Sequence, residues 1–178
     1  MNAGLRTPCG WQMTVPGRVT LLLTLLGLFA AVAQAADRMP NFTLPTLDGR
    51  KFVLNEHLGK GVLLITFFAT WCEPCAREHP HLQRLYERLG ERGLLVAGIS
   101  IDEPGDVAKI RAHVRRYKLT FPILLDSKAE VARLYAPEKS LPLTMLVDRE
   151  GRIRRMYQGY SAGDEKQVEK DVMELLGP

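Results

Sequence analysis

The chain has 178 residues, of which 46% are hydrophobic and 25% charged, and its formal net charge is +4. This length and composition suit one globular domain with a targeting segment. The charge is too small, and too free of basic runs with interleaved aromatic residues, to indicate a nucleic-acid-binding protein.

The first 35 residues have the order of features found in a secretory signal peptide. Arg6 and Arg18 make the N-terminal region positive, and an apolar stretch follows at residues 19–33. Ala33-Gln34-Ala35 then fits the small-x-small rule for cleavage. Because the apolar stretch is shorter than the roughly 20 residues that span a bilayer, we expect cleavage and export to the periplasm or another extracytoplasmic space. An uncleaved anchor in the inner membrane is the alternative.

The mature domain, residues 36–178, opens with two short alternating stretches and a continuous apolar run. Phe42 alternates with Leu44, and residues 52–54 alternate again after an Asp-Gly turn, so we predict a small antiparallel hairpin. The apolar run at residues 62–68 is short and follows glycines. That combination is typical of a buried central strand.

Two cysteines in C-x-x-C spacing, Cys72 and Cys75, follow this run directly. A helix is predicted behind them, because four apolar residues share one helical face: Leu82, Leu85, Tyr86 and Leu89. The positive end of a helix dipole and its free N–H groups stabilise a thiolate in the first turn. We therefore predict an exposed, acidic Cys72 and a more buried Cys75.

These two cysteines are the only ones in the mature domain, because Cys9 lies in the predicted leader and cleavage would remove it. In the oxidising compartment that an exported protein meets, they can form one disulfide and no other. A structural zinc site needs four ligands, and there is no second C-x-x-C. We expect a redox-active disulfide between Cys72 and Cys75, with no metal and no cofactor.

Behind the first helix, which should end near Gly90 or Gly93, the chain continues to alternate strands and helices. Residues 94–101 form a second apolar strand, and strand, helix, strand in this order implies a parallel crossover. An amphipathic helix at residues 107–117 and a strand at 121–126 follow, and then a short helix that includes Val131, Leu134 and Tyr135.

The last part of the chain begins at Pro142. A strand up to Asp148, a turn at residues 149–151 and a strand at 152–157 predict a hairpin. Ser161 fits the N-cap of a capping box in front of the last helix. The buried side of that helix carries four apolar residues: Val168, Val172, Leu175 and Leu176.

The residues around the cysteine pair resemble those of a known family. The run Trp71-Cys72-Glu73-Pro74-Cys75 after a buried strand looks like a thioredoxin-fold active site, and Pro80 stands where thioredoxins carry a helix-kinking proline. The segment 75–82, with Glu78 three residues after the second cysteine, is similar to the TlpA/ResA-like branch, which includes the CcmG/DsbE proteins. The resemblance covers about Pro40 to the last helix. It implies an α/β thioredoxin-like fold with an N-terminal β-hairpin and a central helix-strand-helix insert.

Both the motif and the resemblance point to a thiol-disulfide oxidoreductase, with Cys72, Cys75 and Glu78 as catalytic residues. Cys72 would attack a substrate disulfide as the thiolate, and Cys75 would resolve the mixed disulfide. Glu73 places a negative charge beside that thiolate, which disfavours its ionisation. A poorly stabilised thiolate fits a reductant better than a strong oxidant.

Glu78 is expected near the thiols, one helical turn after Cys75. A partly buried carboxyl group with a raised pKa can carry the proton of the second thiol. Thioredoxin uses a buried aspartate in the strand below its site, and here the corresponding residue is Thr66, which cannot accept a proton at neutral pH. This departure supports giving the proton role to Glu78. A solvent-facing helical glutamate is the alternative.

Three residues are expected to bind substrate: Trp71, Leu141 and Pro142. By resemblance, Pro142 follows a cis peptide bond, which turns the backbone of Leu141 outward to pair with a substrate strand. An ordinary trans proline at the start of a strand is the alternative. Trp71 is expected to pack over the site and shape the face that meets the substrate.

The predicted activity is reduction of specific protein disulfides. By resemblance, the partners are protein disulfide or dithiol substrates, such as an apocytochrome c or a copper-centre protein, and a membrane thiol carrier that donates electrons; no nucleic acid is expected. A disulfide oxidase or isomerase is the first alternative. The second is a non-enzymatic copper-binding or scaffolding module, although we expect His79 and His81 to be surface positions on a kinked helix.

Overall fold

The computed structural model describes residues 38–135 and 140–177. The predicted leader, residues 1–35, lies outside the described residues, as does Cys9. The strands are β1 (Thr43–Pro45), β2 (Lys51–Val53), β3 (Val62–Phe68), β4 (Leu94–Ser100), β5 (Ile123–Leu125), β6 (Leu143–Val147) and β7 (Ile153–Gln158). The α-helices are α1 (Glu73–Leu89), α2 (Val107–Tyr117), α3 (Ala132–Tyr135) and α4 (Asp164–Leu176).

The main sheet has the strand order β5-β4-β3-β6-β7. β3 and β5 both run parallel to β4, as the predicted crossover requires, whereas β6 is antiparallel to β3 and to β7. β1 and β2 form a separate antiparallel hairpin, joined to the sheet edge by a bridge between Thr46 and Leu124. The predicted α/β architecture is therefore confirmed, with its N-terminal hairpin and a helix-strand-helix insert formed by α2, β5 and α3.

β3 lies in the middle of the sheet and is buried along its whole length. Successive side chains of a strand point to opposite faces, and here both faces are covered. Leu64 and Phe68 belong to the core formed with α1 and α4, whereas Leu63 and Phe67 belong to a second core formed with the N-terminal hairpin. A strand covered on both faces needs the continuous apolar run that the sequence shows. The cysteine pair follows the C-terminal end of this strand.

The start of the last helix differs from the prediction. Ser161 does not cap it: α4 begins at Asp164, and the preceding Gly163 has a left-handed φ of 109° and makes no side-chain cap. The structure has the second of the two reciprocal hydrogen bonds of a capping box, because the backbone N–H of Ser161 donates to the Asp164 carboxylate at 2.8 Å. The four-residue pattern therefore marks the start of the helix, although the residue that directly precedes the helix is Gly163.

The first helix, α1, ends at Leu89 and contains Pro80. A 3₁₀ turn follows, and Gly93 closes it in the left-handed region. This agrees with the predicted end near Gly90 or Gly93. Within residues 38–135 and 140–177, no helix is both long and apolar enough to cross a membrane.

Gly61 gives a direct test of the packing at the start of β3. A Cβ atom at this position would lie 2.0 Å from the carbonyl oxygen of Gly93, which accepts a hydrogen bond from Val62 N–H. We expect Gly61→Ala to lower the free energy of unfolding by about 2 kcal/mol or more, because backbone must move to admit the methyl group. Urea denaturation of the disulfide form measures this change.

Gly90 is the matched control. It has a helical φ of −56°, and no atom lies within 4 Å of a Cβ built there. Gly90→Ala should raise the free energy of unfolding by about 0.5 kcal/mol, because alanine restricts the unfolded chain. Equal stabilities for the two variants would contradict the close approach at Gly61.

Candidate active site

The cysteine pair lies between the end of β3 and the first turn of α1. Cys72 is the N-cap residue of α1, and the backbone N–H of Cys75 donates to Cys72 Sγ at 3.2 Å. The two sulfur atoms form a disulfide bond. A sulfur that accepts a hydrogen bond at a helix N-terminus is in the position where a thiolate is stabilised.

Cys72 is less exposed than the sequence predicted. In the disulfide form its exposed fraction is 5%, and that of Cys75 is 0%. The reason is the bond itself and the N-cap geometry, which hold Cys72 Sγ back over the first turn of α1. Cys72 reaches solvent through a cavity beside α2, whereas Cys75 is enclosed in the core.

A buried aspartate at the end of β4 holds the turn that leads to Cys72. The Asp102 carboxylate accepts hydrogen bonds from Thr70 N–H at 3.0 Å, from Thr70 Oγ1 at 2.6 Å and from Ser100 Oγ at 2.7 Å. Asp102 is a site residue that the sequence did not predict. The parallel pairing of β3 with β4 was the available signal, because parallel neighbours end at the same sheet edge.

Glu78 is buried one helical turn after Cys75, with an exposed fraction of 4%. Thr144 Oγ1 donates to Glu78 Oε1 at 2.7 Å, and Thr66 Oγ1 donates to Glu78 Oε2 at 3.1 Å. Burial raises the pKa of Glu78 to about 7, although the two threonine hydrogen bonds act in the opposite direction. Glu78 is therefore buried and not solvent-facing, and its catalytic role stays a prediction.

The two threonines can hydrogen-bond the Glu78 carboxyl in either of its protonation states. Thr66 and Thr144 face each other across β3 and β6, and their Oγ1 atoms are 2.9 Å apart. When Glu78 is ionised, both hydroxyls can donate to it. When Glu78 is protonated, its own hydrogen can go to Thr66, that of Thr66 to Thr144 and that of Thr144 back to Glu78. Neither state leaves a buried oxygen without a partner.

Glu73 has less influence on the thiol than the sequence suggested. Its side chain is 85% exposed and forms an ion pair with Arg77 at 2.6 Å. Solvent and the guanidinium screen the carboxylate charge.

The two histidines that follow occupy different environments, and the predicted surface position of His79 is wrong. His79 is fully buried, edge-on to Phe68, with Nδ1 2.8 Å from Nε2 of His113. Burial, and secondarily His113, lower the pKa of His79 to about 3. His81 is partly exposed beside Arg84. His79 lies one helical turn after the buried Cys75, and this spacing is the sequence signal that indicates its burial.

Two of the predicted substrate-binding residues, Leu141 and Pro142, stand directly before β6. The Leu141–Pro142 peptide bond is cis, as the sequence predicted, and the carbonyl oxygen of Pro142 accepts from Gly159 N–H at 2.8 Å. Trp71 is 71% exposed, so it stands out from the surface instead of packing over the site. Among the described residues, no group of three or more His, Cys, Asp or Glu side chains is arranged to hold a metal ion.

Comparison with known sequences identifies related proteins. A family model described as AhpC/TSA family matches residues 35–156. The thiol-disulfide oxidoreductase ResA of Halalkalibacterium halodurans is 35% identical over 148 residues, which cover 83% of this chain and 80% of that protein. ResA of Bacillus thuringiensis subsp. konkukian is 33% identical over 153 residues, which cover 80% of this chain and 86% of that protein.

Comparison with solved structures finds proteins of the same fold. A Chlorobium tepidum protein described as a candidate thiol:disulfide interchange protein DsbE superposes with a TM-score of 0.72 at 27% identity, covering 79% of this chain and 96% of its own. A disulfide oxidoreductase secreted by Mycobacterium tuberculosis has a TM-score of 0.62 at 24% identity, covering 74% of this chain and 96% of its own. The second likeness concerns the fold alone.

The raised pKa of Glu78 predicts how stability depends on pH. Below about pH 4.5, its ordinary pKa, the carboxyl is protonated in both the folded and the unfolded chain. As the pH rises from about 4.5 to about 7, the unfolded chain loses this proton while the folded protein keeps it, so stability falls. Above that window the loss is constant, at about 3 kcal/mol.

Glu78→Gln removes this titration. The free energy of unfolding of the variant, relative to the unmodified protein, should therefore rise by about 3 kcal/mol between pH 4.5 and pH 8. Urea denaturation of the disulfide form across this range measures the difference. Parallel pH profiles for the two proteins would contradict a raised pKa at Glu78.

Proposed function

The chain belongs to the AhpC/TSA family and, within it, to the TlpA/ResA-like thiol-disulfide oxidoreductases, and from this premise we propose that it is an exported reductase of specific protein disulfides. It is an enzyme of thiol-disulfide exchange. The observation that carries the direction of exchange is the buried carboxyl of Glu78, one helical turn after Cys75.

The proposed reaction has two exchange steps. The Cys72 thiolate of the reduced enzyme attacks one sulfur of a client disulfide; a new S–S bond forms, the client bond breaks, and the other client sulfur leaves as a thiolate that takes up a proton. Cys75 then loses its proton and attacks Cys72 Sγ, which releases the second client thiol. Two electrons pass to the client, and the enzyme is left with the Cys72–Cys75 disulfide found in the structure.

Glu78 is proposed to accept the proton of Cys75. It lies three residues after Cys75 on α1, which places both on neighbouring parts of one helical face. With a pKa of about 7, both forms of the carboxyl are populated at neutral pH. The threonine pair supports this role, because each protonation state has its own set of hydrogen bonds.

The same carboxyl argues for reduction rather than oxidation. A strong oxidant such as DsbA owes its potential to a reduced form that is strongly stabilised. A buried carboxylate near the thiols opposes a stable thiolate, because two negative charges in a low-dielectric region repel each other. The reduced form of this enzyme is therefore expected to give up its electrons readily.

The cellular setting is proposed from the leader and from the family. The signal-like first 35 residues support export, where an oxidising compartment makes a dedicated reductant useful. A membrane thiol carrier would return the enzyme to the dithiol form. Clients in cytochrome c maturation or copper-centre assembly are the candidates that the family resemblance offers.

A redox titration tests the direction of exchange. We expect the midpoint to lie near that of thioredoxin, about −270 mV, or below it. The titration equilibrates the protein with glutathione or dithiothreitol buffers and follows the thiols by alkylation. A midpoint close to that of DsbA, about −120 mV, would make the protein an oxidase.

The proton role of Glu78 is tested by kinetics. Glu78→Gln should slow exchange about 100-fold at pH 7, a typical loss for a general acid–base group, and should remove the inflection near pH 7 from the pH–rate profile. Glu91→Gln is the matched control, because Glu91 is exposed beyond the end of the same helix. An unchanged pH profile in Glu78→Gln would remove Glu78 from the mechanism.

Client capture tests the assignment of the two cysteines. Cys75→Ser should retain clients as mixed disulfides on Cys72, because the second exchange step is blocked. Mass spectrometry of the trapped adducts then names the clients. Cys72→Ser is the control and should capture far less; the reverse pattern would exchange the roles of the two cysteines.

A further inference from the structure

A groove beside the reactive disulfide separates the N-terminus of α1 from α2. We call it the α1–α2 groove; it encloses about 570 Å³. The residues that matter here are Thr70, Trp71, Cys72, His113, Arg116 and Tyr117. Because Cys72 lines it, a chain lying in this groove passes directly over the sulfur that is proposed to attack clients.

One wall of the groove carries two cations of α2, Lys109 and Arg116. α2 carries Lys109, Arg111, Arg115 and Arg116, and none of its residues is acidic. Lys109 is paired with Asp106, at 2.7 Å, and Arg111 donates to a backbone carbonyl. Arg116 lies over the ring of Tyr117 and forms no ion pair with a described residue.

The acidic groups near the groove do not cancel this charge. Glu73 is exposed and already paired with Arg77. Asp102 is buried, and its oxygens accept hydrogen bonds from Thr70 and Ser100. Burial lowers the pKa of His113, which keeps that ring neutral. The positive potential of Arg116 is therefore open to a partner.

The groove also offers aromatic surface. Trp71 is the most exposed large apolar side chain of the described residues and is adjacent to Cys72. Tyr117 is partly buried on the facing helix. Exposed aromatic rings beside a positive rim are typical of protein-recognition surfaces, where aromatic residues and arginine are enriched.

We propose that the α1–α2 groove binds an extended client segment that carries aspartate or glutamate side chains next to its disulfide. Arg116 attracts the carboxylates, and Trp71 and Tyr117 contact the client backbone and apolar side chains. A protein segment is favoured as the occupant because the groove contains the reacting sulfur. The inference rests on the proposed exchange reaction and adds a charge preference to it.

The test compares three disulfide substrates at low ionic strength: a peptide with acidic residues around its disulfide, a peptide of equal length with basic residues there, and the small neutral hydroxyethyl disulfide. The unmodified protein should reduce the acidic peptide about 10-fold faster than the basic one, a modest effect of electrostatic steering. The preference should decline as salt is added.

Arg116→Glu should abolish or reverse this preference, and the milder Arg116→Gln should reduce it. The matched control is Arg152→Glu, which makes the same charge change at an exposed position in the β6–β7 turn, at the far end of β6 from Pro142. The rate of each protein with the neutral disulfide is the reference by which its peptide rates are divided, and reduction of this disulfide also shows that each variant is folded.

The outcomes are distinct. A protein that fails to reduce even the neutral disulfide contradicts the proposed function. Normal reduction of the neutral disulfide with no acidic preference, or with the same preference in Arg116→Glu and Arg152→Glu, overturns the groove assignment. If phosphatidylglycerol vesicles slow the reduction of the acidic peptide but not that of the basic peptide, the groove binds a lipid surface, and the proposed client site is overturned as well.

Discussion

The buried carboxyl group of Glu78 and the two hydroxyls that hold it are the contacts on which the proposed chemistry depends. A carboxyl in the core is unfavourable unless it is hydrogen-bonded. Thr66 and Thr144 supply those bonds from the two central strands, so the group is tolerated with a pKa of about 7. A carboxyl that changes charge near neutral pH, next to a dithiol, is the feature that separates this site from a merely structural disulfide.

The rest of the fold positions the Glu78 carboxyl and the two threonine hydroxyls. The register of β3 with β6 sets Thr66 opposite Thr144, and α1 brings Glu78 to this pair, with Cys75 one turn earlier on the helix. Asp102 fixes the turn between strand and helix from the neighbouring strand. A shift of one residue in the β3–β6 pairing would turn one of the two hydroxyls to the opposite face of the sheet.

The sequence predicted most of this arrangement where the signal was local. The apolar run 62–68 is β3 without a change of boundary, and spacing alone put Glu78 one turn after Cys75. The failures depend on contacts between distant segments. His79 is buried because His113 and Phe68 close over it, and Asp102 gains its role only from the alignment of two parallel strand ends.

The most direct test of this account is the protonation of Glu78 itself. A ¹³C NMR titration of the glutamate side-chain carboxyls in the disulfide form, with Glu78 assigned from the signal missing in Glu78→Gln, gives its pKa without kinetics or denaturation. The account predicts a midpoint near 7. A midpoint near the ordinary value of 4.5 would contradict it, because such a carboxylate would stay ionised throughout the neutral range and carry no proton for the cysteines.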